Sequence, residues 1–226
     1  MIYLYSGTPG SGKSLHQAKD IYYWLKRGHC CIANFDIDIN KIPKCKGNFI
    51  YLDNEYLTPE NLIKFSKVYF YDHKFGEGKL RVYIDECQLL FNAREWQISG
   101  RKEWLSFFTQ HRKYGYDIFL VAQFDRMIDR QIRSLIEYEV IHRKASNFGT
   151  VGLLFGLLAG GNLFVAVTMW YPLHERIDSS FFKANKKYYQ LYDTYNTFES
   201  ERSSAAELTS SHSPLIGKGA ITDPMS

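Results

Sequence analysis

The chain has 226 residues, of which 45% are hydrophobic, and a formal net charge of +4 at pH 7. This length and hydrophobic share predict one α/β domain with additions and a sizeable core. The four cysteines form no Cys-x-x-Cys pair and lie near no histidine at zinc-ligand spacing, which excludes a zinc finger and favours reduced thiols in a cytosolic protein. The mild basicity permits contact with nucleic acid or acidic lipid but requires neither. The amino terminus lacks a basic segment and a cleavage site, so no signal peptide is expected.

The chain begins with a predicted strand and a predicted helix. The short apolar run Ile2–Tyr5 is typical of a buried strand. A helix is expected from Ser14 to Arg27, because Gly28 is a typical C-terminal stop. Further strands are indicated by β-branched and aromatic runs at Cys30–Phe35, Phe49–Leu52, Leu80–Asp85, Asp117–Gln123 and Tyr138–Arg143.

Helices are expected between these strands. Thr58 can cap a helix that starts at Pro59, and Lys102–Lys113 has a helical pattern. Asp125 is expected to cap a third helix that runs through Glu137. This alternation predicts an α/β fold with a mostly parallel sheet and helices on both faces.

Val151–Tyr171 contains no charged residue and is long enough to cross a membrane as a helix. Gly160-Gly161-Asn162 interrupts it with a turn signal, and Phe164–Tyr171 has the composition of a strand. We therefore expect a C-terminal β-hairpin whose first arm, Val151–Ala159, is an apolar loop or short helix. That arm could contact a membrane surface or a neighbouring subunit.

One motif predicts nucleotide binding. Gly7-Thr8-Pro9-Gly10-Ser11-Gly12-Lys13-Ser14 matches the P-loop pattern G-x-x-x-x-G-K-[ST] at every fixed position, between a predicted strand and a predicted helix. Glycines let the backbone N–H groups turn inward, and the helix amino terminus favours anions, so the loop can cradle phosphates. In this pattern Lys13 contacts the β- and γ-phosphates and the Ser14 hydroxyl binds Mg²⁺, with Leu15 next in the nucleotide-binding set. ATP and Mg²⁺ are the expected ligands.

Two acids follow the apolar strand that begins at Leu80. Asp85 is expected to hold Mg²⁺, through water, at the carboxyl edge of the sheet. Glu86 is then placed to polarise the attacking water as a general base. A nucleotide sensor or a small-molecule kinase does not need this second acid, so the pair favours hydrolysis. The alternative for Glu86 is an acid that stabilises a helix amino terminus.

Gln123 ends the apolar strand Ile118–Ala122. Its amide could lie beside the γ-phosphate and orient water. It could equally hydrogen-bond a loop, and the spacing favours neither interpretation.

Two arginines are candidates for completing the site of a neighbouring subunit. Arg112 lies near the end of a predicted helix, where a cation either stabilises the helix C-terminus or reaches a neighbour's phosphate as an arginine finger. Arg94, in the run Phe91–Trp96, is the second candidate.

Together these residues resemble the zonular occludens toxin (Zot) domain, a family that includes the morphogenesis ATPase of filamentous bacteriophages. The strand-terminal Gln123 is also similar to that of FtsK/HerA-type DNA-translocating ATPases. The resemblance covers residues 1–198 and implies a P-loop NTPase domain there, while the Ser-, Ala- and Thr-rich residues 199–226 are expected to form a disordered tail. The matching blocks are the P-loop, Asp85-Glu86-Cys87 with Phe91–Trp96, His111–Ile118 with Gln123, and Leu191–Tyr195.

The resemblance implies an ATPase motor for phage assembly and extrusion at the cytoplasmic face of the host inner membrane. The family usually carries a membrane helix after this domain, and this chain ends in a polar tail, so a peripheral or weakly anchored position is expected. The implied partners are further copies of the chain in a ring, other phage assembly proteins and single-stranded DNA. A nucleotide-gated module that assembles a membrane complex with little turnover, a FtsK/HerA-like DNA translocase and a small-molecule kinase remain alternatives.

Overall fold

The computed structural model describes residues 1–93, 100–147 and 163–192, which all belong to one unit that covers Met1–Tyr192. Strands and helices alternate through most of this unit. The strands are β1 (Ile2–Ser6), β2 (Cys30–Ala33), β3 (Asn48–Tyr51), β4 (Leu80–Ile84), β5 (Tyr116–Val121), β6 (Tyr138–Lys144), β7 (Leu163–Trp170) and β8 (Glu175–Lys183). The helices are α1 (Lys13–Lys26), α2 (Pro59–Asp72), α3 (Arg101–Gln110), α4 (Arg130–Arg133) and α5 (Lys186–Tyr189).

All eight described strands join in one sheet, in the order β3-β2-β4-β5-β1-β6-β7-β8. The six strands from β3 to β6 run parallel to one another, and β7 and β8 continue the sheet as an antiparallel pair. This confirms the mostly parallel α/β fold with a C-terminal hairpin. The order also places β5 between β1, which leads into the P-loop, and β4, which Asp85 follows.

Period-two alternation along the strands builds a core on each face of the sheet. In β1, Ile2 and Leu4 pack with Leu62 of α2 and Phe107 of α3. Tyr5 points to the other face, in a cluster that includes side chains of α1 and α5. Helices therefore cover both faces, as the alternation of strands and helices predicted.

Of two helix starts predicted from the sequence, one is confirmed and the other is wrong. Thr58 caps α2 as expected, because its hydroxyl accepts a hydrogen bond from the N–H of Asn61 at 3.3 Å. The helix predicted from Asp125 through Glu137 is wrong, since α4 has only four residues. Ile128 has an extended backbone, which interrupts any helix from Asp125, and Asp129 is the residue that caps α4.

The hairpin also differs from the prediction. β7 occupies most of the predicted strand Phe164–Tyr171, but its hairpin partner is β8 and not Val151–Ala159. Val151–Ala159 lies outside the described residues. The alternative of a membrane helix over Val151–Tyr171 is wrong in its second half, because that half is a strand. Within the described ranges, no helix combines the length and the hydropathy needed to cross a membrane.

Candidate active site

The P-loop connects β1 to α1 at the carboxyl edge of the sheet. Its conformation requires left-handed backbone at Gly10 and Gly12, with φ of 75° and 95°, which glycine adopts without steric cost. Gly12 is the residue immediately before α1, so the helix begins at Lys13. The N–H groups of the first helical turn therefore face the loop, which is the arrangement that binds phosphate.

Two loop glycines also lie against distant parts of the chain. A Cβ on Gly7 would come within 2.5 Å of the backbone oxygen of His142 in β6. A Cβ on Gly12 would come within 2.6 Å of the Phe164 ring in β7. Because β6 and β7 pack directly against the loop, the shape of the loop depends on the sheet as well as on its own sequence.

The Lys13 side chain folds back onto the backbone of the loop. Its Nζ donates to the backbone oxygen of Gly7 at 2.6 Å and to that of Thr8 at 3.3 Å. Burial lowers the pKa of Lys13, and the carboxylates of Asp85 and Glu86 oppose that shift. The ammonium group thus lies within electrostatic reach of both acids.

Asp85 and Glu86 follow β4 at the same edge. Both oxygens of Asp85 accept hydrogen bonds, Oδ1 from the N–H of Glu86 at 2.9 Å and Oδ2 from the Tyr192 hydroxyl at 2.7 Å. Burial raises the pKa of Asp85, and these two hydrogen bonds oppose the rise. Glu86 is exposed in a left-handed conformation with φ of 45°, and it accepts a hydrogen bond from the side chain of Gln88.

Two residues that hold Asp85 were not identified in the sequence. Asn34 follows β2; its Oδ1 accepts from the N–H of Asp85 at 2.7 Å, and its Nδ2 donates to the Asp85 backbone oxygen at 2.9 Å. A polar residue directly after a buried strand is the signal that could have found it. Tyr192 belongs to a block of the family resemblance, but no role followed from its position in the sequence.

Gln123 follows β5, which lies between β1 and β4. Its backbone oxygen accepts a hydrogen bond from the N–H of Gly7 at 3.2 Å, so it contacts the P-loop directly. The strand order therefore brings Gln123 between the phosphate loop and the acids.

The structure does not bring Arg112 to this edge. Arg112 precedes β5 and forms an ion pair with Glu137, which precedes β6, at 2.5 Å. β5 has six residues, so about 20 Å of strand, at about 3.3 Å per residue, separates Arg112 from the carboxyl edge. Arg94 lies outside the described residues.

The donors at this edge suit Mg²⁺ that arrives with a nucleotide. Mg²⁺ prefers oxygen ligands and is usually held by one or two carboxylates together with substrate phosphates. Asp85 supplies a carboxylate and Ser14 an exposed hydroxyl. In residues 1–93, 100–147 and 163–192, no cluster of three or more His, Cys, Asp or Glu side chains could hold a metal by itself.

A buried histidine pair lies directly behind the loop. His142 Nδ1 lies 3.2 Å from the Ser6 backbone oxygen, and its Nε2 lies 2.8 Å from His16 Nδ1. Because a backbone oxygen only accepts, His142 Nδ1 carries a proton and His142 Nε2 accepts from His16. Burial lowers the pKa of His16 to about 4 and that of His142 to about 3. The pair is therefore neutral at pH 7.

A cleft of about 330 Å³ lies beside the segment that follows Gln123. Two carboxylates partly balance its positive charge, since Asp129 is 3.9 Å from Arg101 and Asp125 is 3.9 Å from Arg133. Among the described residues around the cleft the remaining charge is positive, which suits an anionic ligand. The four arginines that line the cleft are Arg101, Arg126, Arg130 and Arg133.

Comparison with known proteins assigns the chain to a family. The family model described as "Zonular occludens toxin (Zot)" matches residues 1–198. The Gene 1 protein of Enterobacteria phage M13 is 25% identical over 240 residues, which cover 99% of this chain and 67% of that protein.

Two solved structures share the P-loop NTPase fold. The DNA-packaging ATPase B204 of Sulfolobus Turreted Icosahedral Virus is 13% identical, with a TM-score of 0.51 over 81% of this chain and 97% of its own. A second solved ATPase domain is 10% identical, with a TM-score of 0.54 over 83% of this chain and 82% of its own. With the family match over most of its length, the chain belongs to the Zot family.

Proposed function

We propose that the chain is a Mg²⁺-dependent ATPase that drives assembly and extrusion of filamentous phage. The observation that carries the proposal is that Lys13, Asp85, Glu86 and Gln123 meet at the carboxyl ends of three neighbouring strands. A phosphate loop alone would fit a nucleotide sensor. The added acid and amide supply the groups that hydrolysis needs.

In this proposal each side chain has a distinct task. Lys13 leaves the loop oxygens and binds the β- and γ-phosphates, while backbone N–H groups of residues 10–15 surround them. Ser14 and Asp85 would hold Mg²⁺, which would supply positive charge beside the phosphates. Glu86, exposed beside Asp85, accepts a proton from the attacking water, and Gln123 orients that water.

The family supports a setting for this activity. We place the protein at the cytoplasmic face of the host inner membrane, in a ring of identical subunits that works with other phage assembly proteins. Arg94 and Arg112 remain candidates for a finger that enters a neighbour's site. Arg112 could act this way only where a neighbour's carboxyl edge meets its own amino edge.

ATP turnover by the purified wild type and three variants tests the proposal. We expect Lys13→Ala to lose both nucleotide binding and Mg²⁺-dependent turnover, because the main cation of the site is removed. Glu86→Gln should bind ATP like the wild type and turn it over about 10²–10⁴-fold more slowly, since only the base is lost. Gln88→Ala, which removes a neighbour of Glu86 without removing the base, is the matched control. Normal turnover in Glu86→Gln would refute the role of Glu86.

The main alternative is a nucleotide-gated module that assembles a membrane complex with little turnover. The same assay distinguishes it, because such a module would bind ATP tightly while the wild type and Glu86→Gln hydrolyse it equally slowly. Membrane recruitment that differs between ATP and ADP would then support the module.

A second candidate activity is DNA translocation, which the four-arginine cleft favours. Arginine side chains bind phosphate oxygens, and three of these four follow Gln123 along the chain. A strand of nucleic acid bound there would lie on a segment that starts at the γ-phosphate position.

A further inference from the structure

The chain crosses the candidate active site a second time near the end of its described part. After β8, Asn185 caps the short helix α5 by accepting from the N–H of Lys187 at 3.1 Å. The hydroxyl of Tyr188 lies 3.1 Å from that of Tyr23, which ties α5 to α1. Residues 185–192, which we call the return segment, then lead to the carboxyl edge.

The return segment is fixed where it reaches this edge. Leu191 is fully buried, and its backbone oxygen accepts from the N–H of Asp38 at 3.2 Å. The next ring, Tyr192, stacks on Phe35 with 4.9 Å between ring centroids and 22° between planes. Its hydroxyl has therefore little freedom to move.

That hydroxyl donates to Asp85 Oδ2 at 2.7 Å. The hydroxyl is the donor in this bond, because an ionised carboxylate oxygen can only accept. Each carboxylate oxygen has two acceptor positions, so the bond occupies one on Oδ2 and leaves the other. Asn34 fixes the Asp85 backbone, the Glu86 N–H binds Oδ1, and Tyr192 is the side chain that fixes Oδ2.

We propose that Tyr192 is a positioning residue for Asp85, so that the return segment is a working part of the magnesium–nucleotide site. The inference rests on the proposed function for the role of Asp85. Hydrogen bonds that orient the groups around a metal without touching it are typically worth about 10–100-fold in metal affinity. A residue far along the chain thereby determines how well the acid after β4 serves the site.

Binding of a fluorescent, non-hydrolysable ATP analogue tests this with and without Mg²⁺. We expect Tyr192→Phe to weaken the Mg²⁺-dependent part of the affinity by about tenfold or more, because it removes the donor and keeps the ring on Phe35. Binding in EDTA should stay unchanged, since the loop itself is intact. Tyr188→Phe is the matched control, because it loses a hydroxyl in the same segment that does not contact the site.

A double-mutant comparison separates positioning from packing. In an Asp85→Asn background, Tyr192→Phe should have no further effect on Mg²⁺ dependence, whereas general loosening of the segment would add to it. Wild-type Mg²⁺ dependence in Tyr192→Phe would overturn the inference and leave the ATPase proposal standing. If Tyr192→Phe loses tenfold in Mg²⁺-dependent affinity while the wild type binds Mg²⁺–nucleotide without hydrolysing it, the inference is supported and the ATPase proposal is refuted.

Discussion

At the scale of single residues, the phosphate loop depends on neighbours that no local motif reveals. His16 lies one helical turn from the loop and its ring stacks between Tyr5, at 5.1 Å, and Phe182, at 4.8 Å. Its partner His142 supplies the backbone oxygen that excludes a side chain at Gly7. A charge on either ring would therefore have to be buried directly behind the nucleotide site.

The histidine pair predicts a pH-dependent stability. In the unfolded chain both rings bind protons near pH 6.5, but in the folded protein only near pH 4 and pH 3. Between these values the unfolded state binds more protons, so stability falls as the pH is lowered from about 6.5. The loss is at most about 1.4 kcal/mol per pH unit for each ring.

Urea unfolding between pH 7.5 and pH 4.5 measures this loss, with the pH values chosen to span roughly the ordinary histidine range. We expect His16→Asn, whose amide can still donate to His142, to show a clearly smaller pH slope. The same change at the exposed His73 should leave the slope unchanged. Equal slopes in all three proteins would show that the pair does not control acid stability.

At the scale of elements, the sequence predicted the features that depend on residues close together in the chain. The left-handed backbone of the loop glycines, the apolar strand before Asp85 and the Thr58 cap each depend on a few consecutive residues, and the structure contains all three. β8 was not predicted because its sequence is mostly polar and exposed, as an edge strand permits. The position of Gln123 beside the loop depends on strand order, and the hydrogen bond of Tyr192 to Asp85 depends on the return of the chain. Neither has a local signal.

The segment between β5 and β6 is where a DNA-binding activity would be found. We expect Arg126→Ala with Arg130→Ala to weaken single-stranded DNA binding and to lower its salt slope by about 0.7 for each phosphate that the protein no longer neutralises. Both side chains are exposed, so the fold should persist. Lys64→Ala with Lys67→Ala removes the same charge from α2 and serves as the control. If both pairs weaken binding equally, net charge and not the cleft is responsible.

At the scale of the whole molecule, different functional groups lie at the carboxyl and amino edges of the sheet. The carboxyl edge holds the phosphate loop and its acids, and the amino edge holds the ion pair of Arg112 and Glu137. An exposed ion pair contributes only about 0–1 kcal/mol, so Arg112 can leave Glu137 for a stronger anion. In a ring where the carboxyl edge of one subunit packs against the amino edge of the next, the phosphates bound by the first subunit would lie near Arg112 of the second.

Mixing inactive variants tests for such a shared site. Lys13→Ala keeps Arg112 but cannot bind nucleotide, and Arg112→Ala keeps the phosphate loop but lacks the candidate finger. If Arg112 acts on a neighbour, the two should each be nearly inactive and should regain turnover when mixed. Glu137→Ala should stay active alone, because the groups that it releases, Arg112, the Ile2 N–H and the His111 ring, all lie at the amino edge, away from the nucleotide site. Loss of activity in Glu137→Ala, with no recovery in the mixture, would assign the ion pair a structural role.

The position of β1 has a consequence for how the protein folds during synthesis. β1 leaves the ribosome before the other described strands, yet its two sheet neighbours are β5 and β6, which begin at Tyr116 and Tyr138. Until those strands are made, β1 has no strand to pair with, and the phosphate loop after it lacks the backbone of β6 against which it packs. Such distant pairing slows folding and leaves apolar strands exposed meanwhile. The nascent chain thus carries its phosphate loop long before it can bind a nucleotide.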